Sequence, residues 1–418
     1  MAVFGVALAA AAQSGGGSSA QPPQPPAPEG DKRFEVKVTP EMREHSRILD
    51  TLYFAGTGYS LLVLVVVLAS GLSRRMRDAV RTRWRFLTAF LFFALFSVAT
   101  EVLEFPLTYY GDFHVPYRFN LSDQSLASWF GDLGKALAVN IIIGGAIAAL
   151  ALLAIRKVRR WWIAVWLGSI PLMILGMVVF PIFIDPLFNK FEPLKDPVLR
   201  QALLDEASRA GIDGSRVFQV NKSKQTKTMN AYVAGIGPSN RIVLWDTTLQ
   251  KMTRDEILAV MAHEMGHYVM KHIWKGLAFG VLVSLVICFL AQGIFESGIR
   301  RWGGAWGVEE FSDPAALPWL LLIVGVIGFI LSPAVNGYSR HVEHQADVFG
   351  LELTHMNAPT ASAFVKFAED SKVDPTPNAF IEFWRYSHPS LAKRIHFILG
   401  YKPWEEGKAN ELWKGSKS

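Results

Sequence analysis

Six long apolar runs decide what this chain can fold into. Residues 51–73, 136–155 and 161–184 carry no charged side chain, and residues 86–107 carry only Glu101 and Glu104. After a polar stretch, residues 276–295 and 315–339 are again uncharged. Each run approaches or exceeds the roughly 20 residues that a helix needs to cross about 30 Å of hydrocarbon. Backbone in that medium must satisfy its own hydrogen bonds, so the runs are read as six transmembrane helices. Composition agrees: 51% of residues are apolar and 19% charged, against about 25% charged in an ordinary soluble domain.

The rest of the chain is arranged around these helices. Residues 1–50 read as a signal-like, disordered and polar N-terminal segment. Within it, residues 3–12 are apolar but too short to span and lack the basic flank of a signal peptide. Residues 14–30 are a Gly-, Ser-, Gln- and Pro-rich linker. Residues 51–184 hold four helices, 185–275 are polar, 276–339 hold two helices, and 340–418 are polar and helical. An even number of crossings separates the two polar parts, so they lie on one side of the membrane and can share a site. Short strands are expected at 216–220, 229–234 and 241–245, the last two joined as a hairpin by the turn-rich 235–240. The expected fold is mainly α and polytopic, with a small β-sheet in the polar part.

The single cysteine, Cys288, lies inside an apolar run. It excludes a disulfide framework and a Cys-rich zinc cluster, and an apolar setting keeps a thiol inert. The net charge is +6, but much of the Arg excess sits in short loops beside the apolar runs. Membrane topology accounts for it, and no nucleic-acid partner is expected.

The chemistry is concentrated at one motif. Thr253-Arg254-Asp255-Glu256 has the pattern of a capping box, with Thr at the N-cap and Glu three residues on. The helix it starts carries His263-Glu264-Met265-Gly266-His267. Residues four apart share a helical face, so both imidazoles can reach one metal ion while Glu264 serves as general base toward a water there. Catalytic zinc needs three protein ligands and one open position. His272, nine residues after His263 and read on the same helix, does not fit a metzincin. That class needs its third His where Ile273 stands and a Gly where Met270 stands. Glu343 is the better third ligand. Asp347, one helical turn further, can accept a hydrogen bond from the free ring nitrogen of a ligand histidine and fix its tautomer. His341 and His344 are rival ligands from the same segment.

With those residues in view, the chain resembles the type I CAAX prenyl endopeptidases, integral-membrane zinc proteases related more distantly to the HtpX-type bacterial proteases. The resemblance rests on residues 185–194, Asn230-Ala231-Tyr232, residues 241–247, the His263–His267 motif, Glu343-His344-Gln345-Ala346-Asp347, and residues 386–391 with Arg394, in that order. It runs from about residue 50 to 400. It implies a zincin-like protease domain with one Zn2+ per chain, Glu343 as the third ligand, and Asn230 and Ala231 at a strand edge that pairs with the substrate backbone. It also implies that His388 and Arg394 lie near the metal and stabilise the oxyanion. Two departures stand out. Six spans are found where the family usually has seven, and His344 stands where the family usually has an aromatic residue.

The expectation is thus a membrane metalloendopeptidase acting on peptide or protein substrates that are lipidated, apolar or membrane-associated, among membrane lipids. A quality-control protease of the HtpX type is the nearest alternative. A site-2-type protease would bury the motif inside a spanning helix, whereas here Arg254, Asp255, Lys271 and Lys275 flank it. A six-helix transporter or channel would carry the motif by accident, and a catalytically idle zinc-binding chaperone or receptor would use it to bind zinc without cleavage. Arg74, Arg75, Arg77, Arg81, Arg83 and Arg85 fill the first short loop, and Arg156, Lys157, Arg159 and Arg160 the third. The positive-inside rule puts these loops in the cytoplasm and the metal site across the membrane. The eukaryotic family has its zinc site facing the cytosol. The charge bias is large enough to favour the first arrangement, in a bacterial inner membrane rather than the endoplasmic reticulum.

Overall fold

A computed structural model of the protein describes residues 32–212, 216–234 and 241–415. The apolar stretch at 3–12, the linker at 14–30 and the turn at 235–240 lie outside the described residues. Among the described residues six helices are long and apolar enough to cross a membrane: Pro40–Ala69, Arg85–Arg118, Leu126–Lys157, Trp161–Phe188, His272–Trp306 and Pro314–Thr354. They fall on the six apolar runs, but most extend past them. The first, α1 (Pro40–Ala69), begins inside the stretch expected to be a polar N-terminal segment. Thr39 caps it, its hydroxyl accepting from the Met42 N–H at 3.2 Å, and Pro40 opens the first turn. The second and fourth, α2 (Arg85–Tyr109) and α4 (Trp161–Val179), each run on through a single π-helical turn, Tyr110–His114 and Phe180–Ile184. Leu167, Leu172, Leu175 and Val178 on α4 are exposed on the isolated chain, as suits a face that meets lipid.

The polar domain is built on a four-stranded sheet in the order β1-β2-β4-β3. Its strands are β1 (Phe191–Pro193), β2 (Arg216–Val220), β3 (Ala231–Ala234) and β4 (Arg241–Trp245). β2 and β4 are parallel, Val217 opposite Ile242, while β3 runs antiparallel to β4, Ala231 opposite Leu244. The expected antiparallel pairing of the last two strands is therefore present. β3 is an edge strand, and it packs on the motif helix α6 (Arg254–Val269), which follows the shorter α5 (Pro197–Arg209).

One hydrophobic core joins both polar parts of the chain. It gathers Leu203, Ile242, Leu244, Met261 and Met265 from the first part with Phe349, Leu351, Phe364 and Ile398 from the second. Truncating Met261 or Met265, both fully buried, to Ala would cost about 2–5 kcal/mol. The two parts are linked through α7 (His272–Trp306) and α8 (Leu317–Thr354). Helix α8 has 38 residues, about 57 Å at 1.5 Å per residue, nearly twice the hydrocarbon thickness. Its second half must leave the membrane, and that half carries Glu343 and Asp347 into the polar domain.

Candidate metal centre

Sequence sets α6 in place before any ligand is considered. The Thr253 hydroxyl accepts from the Glu256 N–H at 3.4 Å, and the Glu256 carboxylate accepts from the Thr253 N–H at 2.7 Å. The expected capping box is complete. Glu256 is buried and also takes Lys366 at 2.7 Å and Ser362 at 2.6 Å, both from α9 (Asn357–Asp370). Two close approaches then bring α8 against α6. A Cβ on Gly266 would meet the Phe349 ring at 3.1 Å, and one on Gly350 would meet the His263 backbone nitrogen at 2.9 Å. The helices cross this closely because neither glycine has a side chain.

At the crossing three ligand side chains converge. Nε2 of His263 and Nε2 of His267 lie 3.2 Å apart, Glu343 Oε2 is 3.3 Å from the first, and Glu343 Oε1 is 3.4 Å from the second. Bonds of about 2.0–2.1 Å to a tetrahedral zinc ion require ligand atoms about 3.3–3.4 Å apart. Glu343 is buried, and its Oε2 has no hydrogen-bond partner. A buried carboxylate oxygen left open beside two imidazole nitrogens fits a divalent cation. Burial opposes a charge on His263, yet the carboxylates of Asp347 and Glu343 outweigh it and push its pKa up to about 10. The pocket is thus arranged to hold positive charge. His341, His344 and His272 stand outside this group; His344 packs instead on the Phe397 ring at 4.5 Å.

Each histidine that could bind the cation has a partner on its other ring nitrogen. His263 Nδ1 lies 2.9 Å from Asp347 Oδ1, the contact expected of Asp347. His267 Nδ1 lies 3.1 Å from Nδ1 of His272, whose Nε2 lies 3.1 Å from Gln345 Oε1. If Gln345 Oε1 accepts from His272 Nε2–H, then His272 Nδ1 is free to accept from His267 Nδ1–H. That leaves His267 Nε2 as a bare lone pair. His272 does this because it is not on the motif helix. α6 ends at Val269, Lys271 takes the left-handed conformation (φ 57°), and His272 opens α7, folded back beside His267. The expectation that His272 belongs to the motif helix is corrected by this turn, and Gln345, part of the Glu343–Asp347 stretch, carried no expected role.

Arg394, on α11 (Leu391–Gly400), lies beside the candidate ligands, where the resemblance implies it. It is buried behind the ligands, with Nε 2.9 Å from Asp347 Oδ2 and one Nη 2.7 Å from Asp347 Oδ1. The same Nη is 3.5 Å from Glu343 Oε2, and the guanidinium lies over the Phe364 ring at 4.3 Å. Two of its donors are therefore spent on holding Asp347, not on a substrate oxygen. His388 is half-exposed at the mouth, its Nε2 3.3 Å from Glu343 Oε1 and its Nδ1 2.9 Å from the Ser387 hydroxyl. It sits in the turn after α10 (Ala379–Arg385), where Arg340 donates to the Tyr386 carbonyl at 2.6 Å and the Ser390 N–H to Glu382 at 3.1 Å. Burial pushes the Glu264 carboxyl up against the pull of the neighbouring histidines. Among the described residues it accepts no hydrogen bond, which leaves it available to a proton. Asn230 and Ala231 lie at the start of the edge strand. The Ala231 N–H donates to the Asn230 side chain at 2.7 Å, and the Asn230 N–H to Thr248 at 2.9 Å.

Comparison with known proteins agrees with this geometry. The sequence model of peptidase family M48 matches residues 193–402, and that of the CAAX prenyl protease N-terminal domain, described as five membrane helices, matches residues 33–190. Four of the six spans fall in the second region. The metalloprotease YhfN of Bacillus subtilis is 35% identical over 359 residues, covering 84% of this chain and 83% of that protein. CAAX prenyl protease 1 of Saccharomyces cerevisiae is 31% identical, over 73% of this chain and 70% of its own. Among solved structures, S. mikatae Ste24p superposes with a TM-score of 0.74 at 25% identity, covering 88% of this chain and 89% of that one.

Proposed function

The chain belongs to peptidase family M48 and is a CAAX prenyl protease-like, integral-membrane metalloendopeptidase, and on that premise we propose that its metal is zinc, held by His263, His267 and Glu343. The observation that carries this reading is the meeting of three ligand side chains: the two Nε2 atoms lie 3.2 Å apart and each is 3.3–3.4 Å from one oxygen of the Glu343 carboxylate, spacings of the size a tetrahedral zinc ion needs. When bound, the ion would polarise the scissile carbonyl and acidify a water at its open position. Glu264 would take a proton from the attacking water and deliver it to the leaving amine, a task suited by a carboxyl whose pKa burial has raised. His388 donates to the oxyanion that develops on the substrate. Asp347 fixes His263, and Arg394 fixes Asp347. The open edge of β3, from Asn230 and Ala231 onward, pairs with the extended substrate.

The yeast relative bears the name CAAX prenyl protease 1, and a lipidated peptide is the substrate class we infer here. Glu264→Gln is the test. It should keep one zinc per chain and lose cleavage of a farnesylated CAAX-type peptide, while the wild type cleaves that peptide faster than its unlipidated twin. Undiminished cleavage by the variant would end the mechanism; equal rates on the two peptides would end the lipid assignment. The ten basic residues of the first and third loops favour a site on the side away from the cytoplasm of a bacterial inner membrane. A protease-sensitive tag after Ser418, cut only from the cytoplasmic side, would overturn that.

A further inference from the structure

A cavity of about 600 Å³ lies at the end of the membrane bundle farthest in topology from the metal centre. Three connections wall it: the loop after α1, the C-terminal end of α3 (Leu126–Lys157), and the loop between α7 and α8. All three lie on the membrane side opposite the polar domain, because each follows an odd number of crossings. Its volume is that of a small-molecule site.

The charges around it do not cancel. Arg77 is buried and committed, to Asp313, to Asp78 at 2.8 Å and to the Gly307 carbonyl at 3.0 Å. That contact fastens the α7–α8 loop against the short helix Leu72–Ala79, and Arg85 pairs with Glu310 at 2.5 Å. Arg81, Arg83, Arg156 and Lys157 also line the cavity, and among the described residues none of them makes an ion pair. The one remaining acid, Glu309, is weakly engaged, 3.7 Å from Arg77. Four cations therefore face one concavity, opposed by Glu309 and, at Arg156, by the field of Glu310, which Arg85 already pairs. Below them the wall is apolar: Phe86 and Ala89 from α2, and Ala149, Leu152 and Leu153 from α3. Phe86 and Leu153 are exposed, so the apolar wall opens outward. Trp84, exposed and stacked under Arg83 at 4.7 Å, sits at the same level. Aromatic side chains of this kind are enriched where headgroups meet hydrocarbon.

We propose that this cavity is a binding site for an anionic membrane phospholipid. Arg81, Arg83, Arg156 and Lys157 take the phosphate and the acidic headgroup, and Phe86, Leu152 and Leu153 take the upper acyl chains. A cluster of cations alone would attract any anion. The apolar wall running from it toward the bilayer selects a diacyl chain, and basic pockets between transmembrane helices are the usual seats of such lipids.

The test uses the full-length protein in neutral detergent, titrated with short-chain phosphatidylglycerol and followed by thermal unfolding. Phosphatidylglycerol should raise the unfolding temperature saturably. Phosphatidylcholine should bind at least tenfold more weakly, and glycerol phosphate, which has the charge without the chains, should give no shift at millimolar concentration. The triple variant R81Q/R156Q/K157Q should lose at least tenfold in affinity, since each cation near an anionic headgroup is worth roughly a fivefold factor. Glu309→Gln, which removes the opposing acid at the expense of only a weak contact with Arg77, should tighten binding. Equal responses to the two lipids would overturn the proposal. So would a full response to glycerol phosphate, unchanged affinity in the triple variant, or weaker binding by Glu309→Gln.

Discussion

Gly350 on α8 lies so close to His263 on α6 that a Cβ there would come within 2.9 Å of the His263 amide nitrogen and 3.2 Å of its Cα. Both neighbours are backbone and cannot rotate away. Gly350→Ala should therefore force the helices apart and spread donor groups now 3.2–3.4 Å from one another. The expected result is loss of stoichiometric zinc and of cleavage, with destabilisation of about 1–3 kcal/mol from overpacking. Gly266→Ala should be milder, because it meets only the Phe349 side chain. Metal content by atomic absorption and unfolding temperatures of the two variants would check the order.

His272 and Gln345 give the next prediction. His272→Leu removes the acceptor for His267 Nδ1–H, now 3.1 Å away. Loss of such an outer contact typically costs 10–100-fold in metal affinity. Gln345→Glu should do the reverse, since a carboxylate accepts from His272 more strongly than an amide does. Competition with a chelating dye would measure both. Unchanged zinc affinity in His272→Leu would mean that the His267–His272 contact is packing alone.

These partners explain how much of the molecule could be read in advance. The six spans were legible because apolar run length is a direct consequence of bilayer thickness. The first turns of α1 were not, since residues 40–50 lie where no apolar density is demanded. His263, His267 and Glu343 were legible because two imidazoles one turn apart require a third ligand from elsewhere. His272 was not. Its position depends on Lys271 turning left-handed, and lysine carries no mark of that conformation as Gly or Asn would. Gly266 and Gly350 looked like any helical glycine, because what each one meets, the Phe349 side chain and the His263 backbone, is far away in the chain. Arg394 was legible as a neighbour of the site, but not that Asp347 occupies two of its donors.

Glu206 on α5 should govern stability at alkaline pH. Its carboxylate is buried, among the described residues neither oxygen has a hydrogen-bond partner, and Arg209 is 3.8 Å away. Burial pushes its pKa up to about 8, against about 4.3 in an unfolded chain. The folded state therefore holds a proton that the unfolded state has released. Stability is fully present below about pH 4, falls as pH rises, and is lost through about pH 8, an effect on the order of a few kcal/mol. Glu206→Gln should flatten that fall, raising the unfolding temperature more at pH 9 than at pH 5. A wild-type unfolding temperature that is constant from pH 5 to 9 would contradict it.

Arg394 distinguishes positioning from oxyanion chemistry. Its fork holds both oxygens of Asp347, at 2.9 and 2.7 Å, and Asp347 in turn holds His263 at 2.9 Å. Lysine keeps the charge but not the planar fork, so Arg394→Lys should let Asp347 turn and His263 with it. Zinc affinity should then fall, and kcat should recover when zinc is raised. A residue that served only the oxyanion would behave otherwise: kcat would stay low at full zinc loading, with affinity for the metal unchanged. Arg394→Ala goes further and leaves Asp347 buried without its cation, a loss worth about 3–5 kcal/mol of stability. Zinc titrations of both variants, with rates measured at saturating metal, separate the two roles.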